Sequence, residues 1–220
     1  MNCFAHALPF LDNPEFMVGC CVPDWLSAVD RKCRVRERRA REFVQDSDPF
    51  VSAVAQGVIR HHQDDHWFHQ TRAFAELNLE FAVEIRECLN GETGFRAGLL
   101  GHIIVELLLD AFLTEQFPGQ LETYYERVAE VCPERLQEGI NRFASRPTEK
   151  LVYYLGRYLE IRFLFDYLND SGLLYRLNNV LNRVKLEALD DKILSWIPSA
   201  RDRVYQRAAD LLCDYPLKIS

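Results

Sequence analysis

The segment from Leu99 to Leu113 constrains the fold most, because apolar residues dominate it from end to end. Its apolar side chains would cover the whole circumference of an α-helix, which predicts a helix buried at the centre of the protein. Three ionisable residues interrupt it at intervals of four, His102, Glu106 and Asp110. Each step of four residues advances about 40° beyond a full turn, so these side chains share one narrow face. We expect a buried helix with one polar face rather than a membrane span.

The two carboxylates of this face need a cationic partner, because an unpaired carboxylate in an apolar interior costs several kcal/mol. Arginine side chains could supply the charge, and the face would then be a row of buried salt bridges. A protonated histidine or a metal ion would serve equally well. The segment by itself leaves these alternatives open.

A second cluster of ionisable residues lies at 61–69, where the sequence HHQDDHWFH holds four of the chain's six histidines. His61, Asp65 and His69 repeat the interval of four on a helix that we expect to begin near Pro49. Imidazole and carboxylate are ligands suited to zinc, manganese or iron. We therefore predict a divalent-cation pocket with this cluster as one wall and the segment from His102 to Asp110 as the other. The remaining ionisable residues of the cluster are expected to be exposed to solvent: His62, Asp64 and His66.

Helical periodicity extends through almost the whole chain, and alternating strand patterns are hard to find. Proline, glycine and helix-capping residues separate the predicted elements. Helices are predicted at 14–29, from 49 into the histidine cluster, 93–117, 120–131, 134–145, 148–169, 172–189 and 199–213, with a turn at Asn90-Gly91. The prediction is an all-α protein with a single helical domain over residues 1–220. Residues 1–118 would carry the metal-site helices and residues 119–220 a helical scaffold.

The charge of the chain indicates which classes of partner it could bind. The formal net charge is −7, so we expect no nucleic-acid partner. The run from Arg31 to Arg41 nevertheless carries seven basic residues against one acid. It is either an exposed helix with surplus charge or a surface that binds a phosphate-bearing or acidic partner. The residues that would contact such a partner are Arg31, Lys32, Arg34 and Arg38.

The cysteines and the N-terminal sequence favour a cytoplasmic location. The chain has seven cysteines, an odd number, without a CxxC pair. The first apolar run has no basic residues before it and makes a poor signal peptide. We therefore expect reduced, mostly buried thiols.

The first seventy residues resemble a known family. The N-terminal MNxxAH, with Gly19 and Asp24 beyond it, and the GxxxHxxxD of Gly57, His61 and Asp65 resemble the acyl carrier protein phosphodiesterases. These belong to the HD-domain-like metal-dependent phosphohydrolases. The resemblance implies an HD-domain-like helical bundle around a metal site. It also implies hydrolysis of the phosphodiester that joins phosphopantetheine to a carrier-protein serine, with a divalent cation, often manganese.

The resemblance adds His6 and Asp24 to the candidate ligands, since both match positions of the family pattern. By spacing alone, His6 is more typical of a hydrogen-bonded core histidine and Asp24 of a helix N-cap. This chain departs from the pattern at Gly101-His102, where the family has Asp-His, and at His69, where the family has an acid. The full candidate ligand set for Mn²⁺, Zn²⁺ or Fe²⁺ is His6, Asp24, His61, Asp65, His69, His102 and Glu106.

The expected mechanism is hydrolysis by a metal-activated water. An ion bound by His61, Asp65, His102 and Asp24 would polarise the phosphoryl oxygen and lower the pKa of bound water toward 7. A second ion could lie at His69 and Glu106. The carboxylates expected to act as general base, or to orient the histidines, are Asp65, Glu106 and Asp110.

Two other classes of protein fit part of this pattern. Zinc-dependent phospholipase C and the secreted three-zinc nucleases also have histidine-carboxylate helical sites, and the HxxxE spacing of His102 and Glu106 suits them. Those enzymes are exported and use the mature N-terminal amine as a ligand, whereas no export signal is visible here. The other class is a helical metal-binding or interaction protein without catalytic activity.

Overall fold

The protein is all-α, as its periodicity predicts. The computed structural model describes residues 1–88 and 96–217, which form helices, turns and loops without a β-strand among them. The α-helices are α1 (Cys3–Ala7), α2 (Pro14–Val29), α3 (Glu37–Ala40), α4 (Pro49–Phe68), α5 (Arg72–Cys88), α6 (Arg96–Gln116), α7 (Gln120–Glu130), α8 (Pro133–Phe143), α9 (Leu151–Ile161), α10 (Asp170–Arg183), α11 (Ile197–Gln206) and α12 (Ala208–Leu211). Short 3₁₀ helices occupy Leu8–Phe10, Arg41–Phe43, Phe163–Leu168 and Asp191–Ser195.

Three of the predicted helices depart from their expected bounds. The helix expected at 172–189 ends at Arg183, just before Lys185, whose φ of 61° is left-handed. The helix expected at 148–169 ends at Arg162, whose φ of 49° is left-handed and terminates the helix, and a 3₁₀ segment follows. The helix expected at 199–213 is broken at Arg207, where the backbone leaves the helical region between α11 and α12. The predicted turn at Asn90-Gly91 and the predicted helix start at Thr93 lie outside the described residues.

The contacts divide the chain into two compact units. Unit 1 comprises Met1–His66 and Phe117–Arg162, and unit 2 comprises Trp67–Gln116 and Phe163–Ser220. Each unit therefore combines residues from before and after the expected boundary at residue 118. The arrangement as one domain, with a metal-site half and a scaffold half, stays a prediction.

In unit 1, α2 and α4 cross with their backbones in contact. A Cβ atom at Gly19 would lie 2.4 Å from the carbonyl oxygen of Val54, and one at Gly57 would lie 2.1 Å from that of Phe16. Only glycine allows such an approach. Since His61 lies one turn beyond Gly57, the crossing brings His61 against the main chain of α2.

An aromatic cluster forms part of the unit 1 core. The hydroxyl groups of Tyr124 on α7 and Tyr158 on α9 are 2.7 Å apart and share a hydrogen bond. The ring of Trp25 on α2 packs edge-on against Tyr158, with 5.5 Å between centroids. These contacts hold α2, α7 and α9 together around fully buried side chains.

Unit 2 is built around α5 and α6, and α6 is the buried apolar helix that the sequence predicts. A Cβ atom at Gly101 would lie 2.6 Å from the carbonyl oxygen of Asn78, so these two helices also approach closely at a glycine. This contact gives a structural reason for glycine at the position before His102. By length and composition α6 could cross a membrane, but most of it is buried inside the protein, and buried core helices meet the same criteria.

Candidate metal centres

Unit 1 brings together three of the predicted ligands, His6, His61 and Asp65, which we call the first group. One nitrogen of each imidazole and one carboxylate oxygen lie within 4.8 Å of one another. His6 comes from α1, while His61 and Asp65 occupy successive turns of α4. Both histidines are buried and Asp65 is partly exposed. Catalytic zinc sites typically have three protein ligands and leave a fourth coordination position for water or substrate. The first group offers three such ligands.

His61 is oriented by the main chain of α2. Its Nδ1 lies 2.8 Å from the carbonyl oxygen of Cys20, which can only accept a hydrogen bond, so Nδ1 carries the hydrogen. Its Nε2 lies 3.3 Å from Oδ2 of Asp65. A hydrogen bond from one ring nitrogen to a carbonyl group is how metal-binding histidines are commonly held, since it fixes the tautomer and the ring plane. The other nitrogen, Nε2, then faces the centre of the first group.

Asp65 is already surrounded by cationic groups. Its Oδ1 accepts a hydrogen bond of 2.8 Å from the terminal ammonium of Met1 and lies 3.2 Å from Nε2 of His6. Burial alone would raise the pKa of Asp65, but the Met1 ammonium and the imidazoles of His6 and His61 hold that pKa far below its usual range. Asp65 is therefore ionised at any physiological pH and attracts cations.

His6 is fully buried, and its ring stacks on that of His61 with 4.1 Å between centroids. Its Nδ1 lies 3.7 Å from Oδ2 of Asp64 and has no hydrogen-bond partner among the described residues. Burial would lower the pKa of His6, but interactions with Asp64 and Asp65 outweigh it and raise this pKa to about 10. In the metal-free protein His6 is thus a cation, and a metal ion would have to displace its proton.

Asp24 lies close by on α2 but outside the first group. Its Oδ2 accepts a hydrogen bond of 3.5 Å from the thiol of Cys3. Burial raises the pKa of Asp24, and the nearby imidazoles of His61 and His6 only partly oppose this effect. A carboxyl group must ionise before it can bind a metal, so Asp24 is less suited to be a ligand than Asp65.

The expectation of solvent exposure is wrong for Asp64. The residue is buried, and its carboxylate pairs with Arg60 one turn earlier, Oδ1 to Nη2, at 2.7 Å. The arginine neutralises the charge and makes the burial tolerable. His62 is half-buried, and its Nε2 donates a hydrogen bond of 2.9 Å to the carbonyl oxygen of Val35. His66 is exposed, as predicted.

Unit 2 holds a second group, formed by His69, His102 and Glu106, whose potential ligand atoms also lie within 4.8 Å of one another. The Nε2 atoms of both histidines approach the same oxygen, Oε1 of Glu106, at 3.0 Å for His69 and 3.3 Å for His102. The sequence predicts that His69 and Glu106 meet, and the structure brings them together. His102, which we expected to share an ion with His61, contacts His69 and Glu106.

The second group lies against an aromatic wall. The ring centroid of Phe74 on α5 is 4.8 Å from that of His69 and 5.0 Å from that of His102. Burial would raise the pKa of Glu106, yet this pKa lies well below its usual range, and hydrogen bonds to His102 and His69 are among the reasons. The carboxylate is therefore ionised. Asp110, one turn further along α6, is buried and lies outside the second group.

The seven cysteines are free thiols, and four of them are buried: Cys3, Cys20, Cys21 and Cys33. The reduced state of these thiols stays a prediction. The part of the first group that sequence reasoning missed is the carbonyl oxygen of Cys20, a main-chain atom with no residue signature. A usable signal was Gly57, about one turn before His61, because a glycine inside a helix often has a packing reason such as a close helix crossing.

Comparison of the chain with protein-family models, with curated proteins and with solved structures gives no match. The resemblance to the acyl carrier protein phosphodiesterases stays a prediction.

Proposed function

We propose that the protein is a metal-dependent phosphoester hydrolase whose catalytic ion binds at His6, His61 and Asp65. The observation that carries this proposal is the geometry of His61. Its Nδ1–H is committed to Cys20 at 2.8 Å while its Nε2 faces Asp65 at 3.3 Å. Such an arrangement prepares an imidazole to bind a cation, and imidazole with carboxylate suits Mn²⁺, Zn²⁺ or Fe²⁺.

When bound, a divalent ion would supply a Lewis acid for the phosphoryl oxygen and a water of lowered pKa. The surrounding residues contribute orientation and charge. Cys20 holds the plane of the His61 ring, and the ionised Asp65 supplies the negative charge of the site. Asp24, whose pKa burial raises, adds a further carboxyl group close to these residues.

Unit 2 would bind a further ion at His69, His102 and Glu106. Two imidazole nitrogens at 3.0 and 3.3 Å from one carboxylate oxygen provide the same ligand types as the first group. The role that we expected for Asp110 as a catalytic carboxylate has less support, because Asp110 is buried outside this group. Glu106 is the better candidate for a carboxylate that acts at this second ion.

The phosphodiester as substrate class rests on the resemblance of the first seventy residues to the acyl carrier protein phosphodiesterases. The positions that carry this resemblance include four candidate ligands. Three of them, His6, His61 and Asp65, converge in the first group, and Asp24 lies within electrostatic reach of them. Convergence of residues from separate helices is what a shared site requires. The alternatives are a zinc-dependent phospholipase C-like or nuclease-like hydrolase and a metal-binding protein without activity.

The experiment is to purify the protein without chelator, measure bound metal, and assay bis-p-nitrophenyl phosphate with added Mn²⁺ or Zn²⁺. We expect metal-dependent turnover that is lost in His61→Ala and Asp65→Ala. His66→Ala, which removes an exposed histidine from the same helix, is the matched control and should keep full activity. Stoichiometric metal without turnover of any phosphoester would favour the non-catalytic alternative. A protein that binds no metal would leave the first group as an ion-pair network.

A further inference from the structure

A small cavity in unit 1 is lined by arginines. Its lining residues are Arg36, Arg38, Arg39 and Ser145, and its volume is about 170 Å³. We call it the arginine pocket. No carboxylate is among these lining residues, so the charge around the cavity is positive.

The main chain around the arginine pocket is held by reciprocal hydrogen bonds. The backbone N–H of Arg34 donates to Oγ of Ser145 at 2.9 Å, and the backbone N–H of Ser145 donates to the carbonyl oxygen of Arg34 at 2.7 Å. Arg39 adds a hydrogen bond of 2.7 Å from its Nη1 to the carbonyl oxygen of Ala144. The segment that carries the arginines is thus fastened to the loop that follows α8.

A further contact fixes the same segment to α4. The carbonyl oxygen of Val35, next to Arg36, accepts the 2.9 Å hydrogen bond from His62. Anchors on both sides hold the main chain of this segment in place, while the side chains of Arg36, Arg38 and Arg39 are exposed to solvent.

The arginines between Arg31 and Arg41 differ in whether their guanidinium groups have partners. Arg41 pairs with Glu37, and Nε of Arg34 donates to the carbonyl oxygen of Arg31. Within residues 1–88 and 96–217, by contrast, the guanidinium groups of Arg36 and Arg38 make no hydrogen bond or ion pair. Two such cations beside one cavity repel each other, and an anion between them removes that repulsion.

We infer that the arginine pocket binds a phosphate-class oxyanion. Guanidinium groups present paired N–H donors that match the oxygens of phosphate, so the arginines are the expected donors; the Ser145 hydroxyl is already bonded to the main chain of Lys32 and Arg34. The cavity, of about 170 Å³, has room for one tetrahedral anion. The expected contacts on this surface therefore shift from Arg31, Lys32 and Arg34 to Arg36, Arg38 and Arg39.

This site is separate from the proposed metal chemistry, and the test keeps the two apart. Inorganic phosphate is titrated by calorimetry into chelator-treated protein at about 0.15 M ionic strength, where the Debye length is about 8 Å. Phosphate bound to a metal ion then makes no contribution, and charges beyond the pocket are screened. We expect saturable binding that the double variant Arg36→Gln/Arg38→Gln weakens at least tenfold. The control Arg31→Gln/Lys32→Gln removes two charges from the same run without touching the pocket, and should bind within about twofold of the wild type.

A second arm of the titration uses O-phosphoserine, to separate free phosphate from an esterified phosphoryl group. Binding of phosphoserine at least as tight as that of inorganic phosphate assigns the pocket to a phosphorylated ligand, and preference for inorganic phosphate assigns it to the free ion.

Circular dichroism checks that the double variant is folded, and the single variants Arg36→Gln and Arg38→Gln replace it if it is not. Equal phosphate binding by wild type and pocket variants overturns the inference. So does binding of an unphosphorylated polyglutamate peptide without binding of phosphate.

Discussion

His61 donates the hydrogen of its Nδ1 to the carbonyl oxygen of Cys20 over 2.8 Å. The acceptor is a main-chain atom of α2, and the donor lies on α4. The orientation of the imidazole therefore depends on how closely these two helices approach. That approach is set at Gly19 and Gly57, where the backbones touch.

Replacement of Gly57 by alanine should damage both stability and metal binding. The added methyl group would lie 2.1 Å from the carbonyl oxygen of Phe16 and must push α4 away from α2. We expect Gly57→Ala to lower the free energy of unfolding by about 1–3 kcal/mol, measured by urea denaturation of metal-free protein. Loss of the His61–Cys20 hydrogen bond should also weaken metal affinity by about 10–100-fold.

Gly156 on α9 provides the control for that substitution, since a Cβ atom there would meet no atom within 4 Å. Gly156→Ala should stabilise the protein by up to about 1 kcal/mol through helix propensity and leave metal affinity unchanged. If Gly57→Ala were as stable as Gly156→Ala, the close crossing of α2 and α4 would be wrong.

The raised pKa of His6 predicts a specific loss of stability at alkaline pH in the metal-free protein. A group whose pKa is raised on folding, here from 6.5 to about 10, contributes stability that is fully present below pH 6.5. That contribution is lost as the pH rises through about 10. The free energy of unfolding of the wild type should therefore fall relative to that of His6→Gln between these pH values. Urea denaturation of both proteins across this range measures the difference, and parallel curves would contradict it.

Metal binding at the first group should release a proton at neutral pH, because the ion replaces the proton of His6. Affinity should rise with pH, by up to about tenfold per unit, as long as His6 stays protonated in the free protein. Calorimetric titrations of Zn²⁺ in buffers of different ionisation enthalpy count the protons released. His6→Gln should bind more weakly and release fewer protons. A proton count unaffected by this substitution would argue against His6 as a ligand.

His102→Ala should remove the ion of the second group and leave that of the first. His102 is partly exposed, and its Nε2 contacts Glu106 within the same helix at 3.3 Å. We therefore expect a change of less than about 1 kcal/mol in stability. Metal analysis after dialysis should give one ion fewer per chain than in the wild type. The exposed histidine variant His66→Ala should keep the wild-type count, and a full count in His102→Ala would contradict the assignment.

Asp30 should contribute to stability at neutral pH and cease to do so in acid. Its carboxylate accepts hydrogen bonds from Arg146 at 2.6 Å and from Thr148 at 3.2 Å. The Arg146 guanidinium holds the pKa of Asp30 below its unfolded value of 3.8. Stability from a lowered pKa is present above that unfolded value and is lost as the pH falls through the folded pKa.

Asp30→Asn should accordingly lower the free energy of unfolding by about 1–2 kcal/mol at pH 7, with the difference shrinking toward pH 3. Denaturation by urea at both pH values measures it. The matched change Glu160→Gln removes an exposed carboxylate that pairs with Arg157, and should have little effect at either pH because exposed pairs contribute little. A constant difference between Asp30→Asn and wild type across this range would exclude the assigned role of the Arg146 pair.

Periodicity carried the prediction of the all-α fold and of the meeting of His69 with Glu106, but it assigned His102 to the ion of His61. Glu106 lies one turn from His102 on the helix that the apolar residues of α6 identify. Its carboxylate needed a partner, and Nε2 of His69 lies 3.0 Å from it. Those predictions depend only on helix geometry, because residues spaced four apart in the sequence lie on the same face of a helix.

The first group could be predicted only in part. The interval between His61 and Asp65 places them on one face of α4, but their meeting with His6 depends on how α1 packs, and no local pattern encodes that. The burial of Asp64 was missed for the same reason, since the neutralising Arg60 is recognisable only once the helix is packed. The end of α9 depends on a single left-handed residue, Arg162, where propensity favours continuation.

At the crossing of Gly19 and Gly57 nothing but main chain separates the two helices, so the junction contains no rotamer that could readjust. The placement of the catalytic imidazole that we propose is consequently a property of the backbone. Substitutions on the outer surfaces of α2 and α4 should not change the position of this imidazole. A single methyl group at the junction, in contrast, cannot be accommodated by repacking neighbouring side chains.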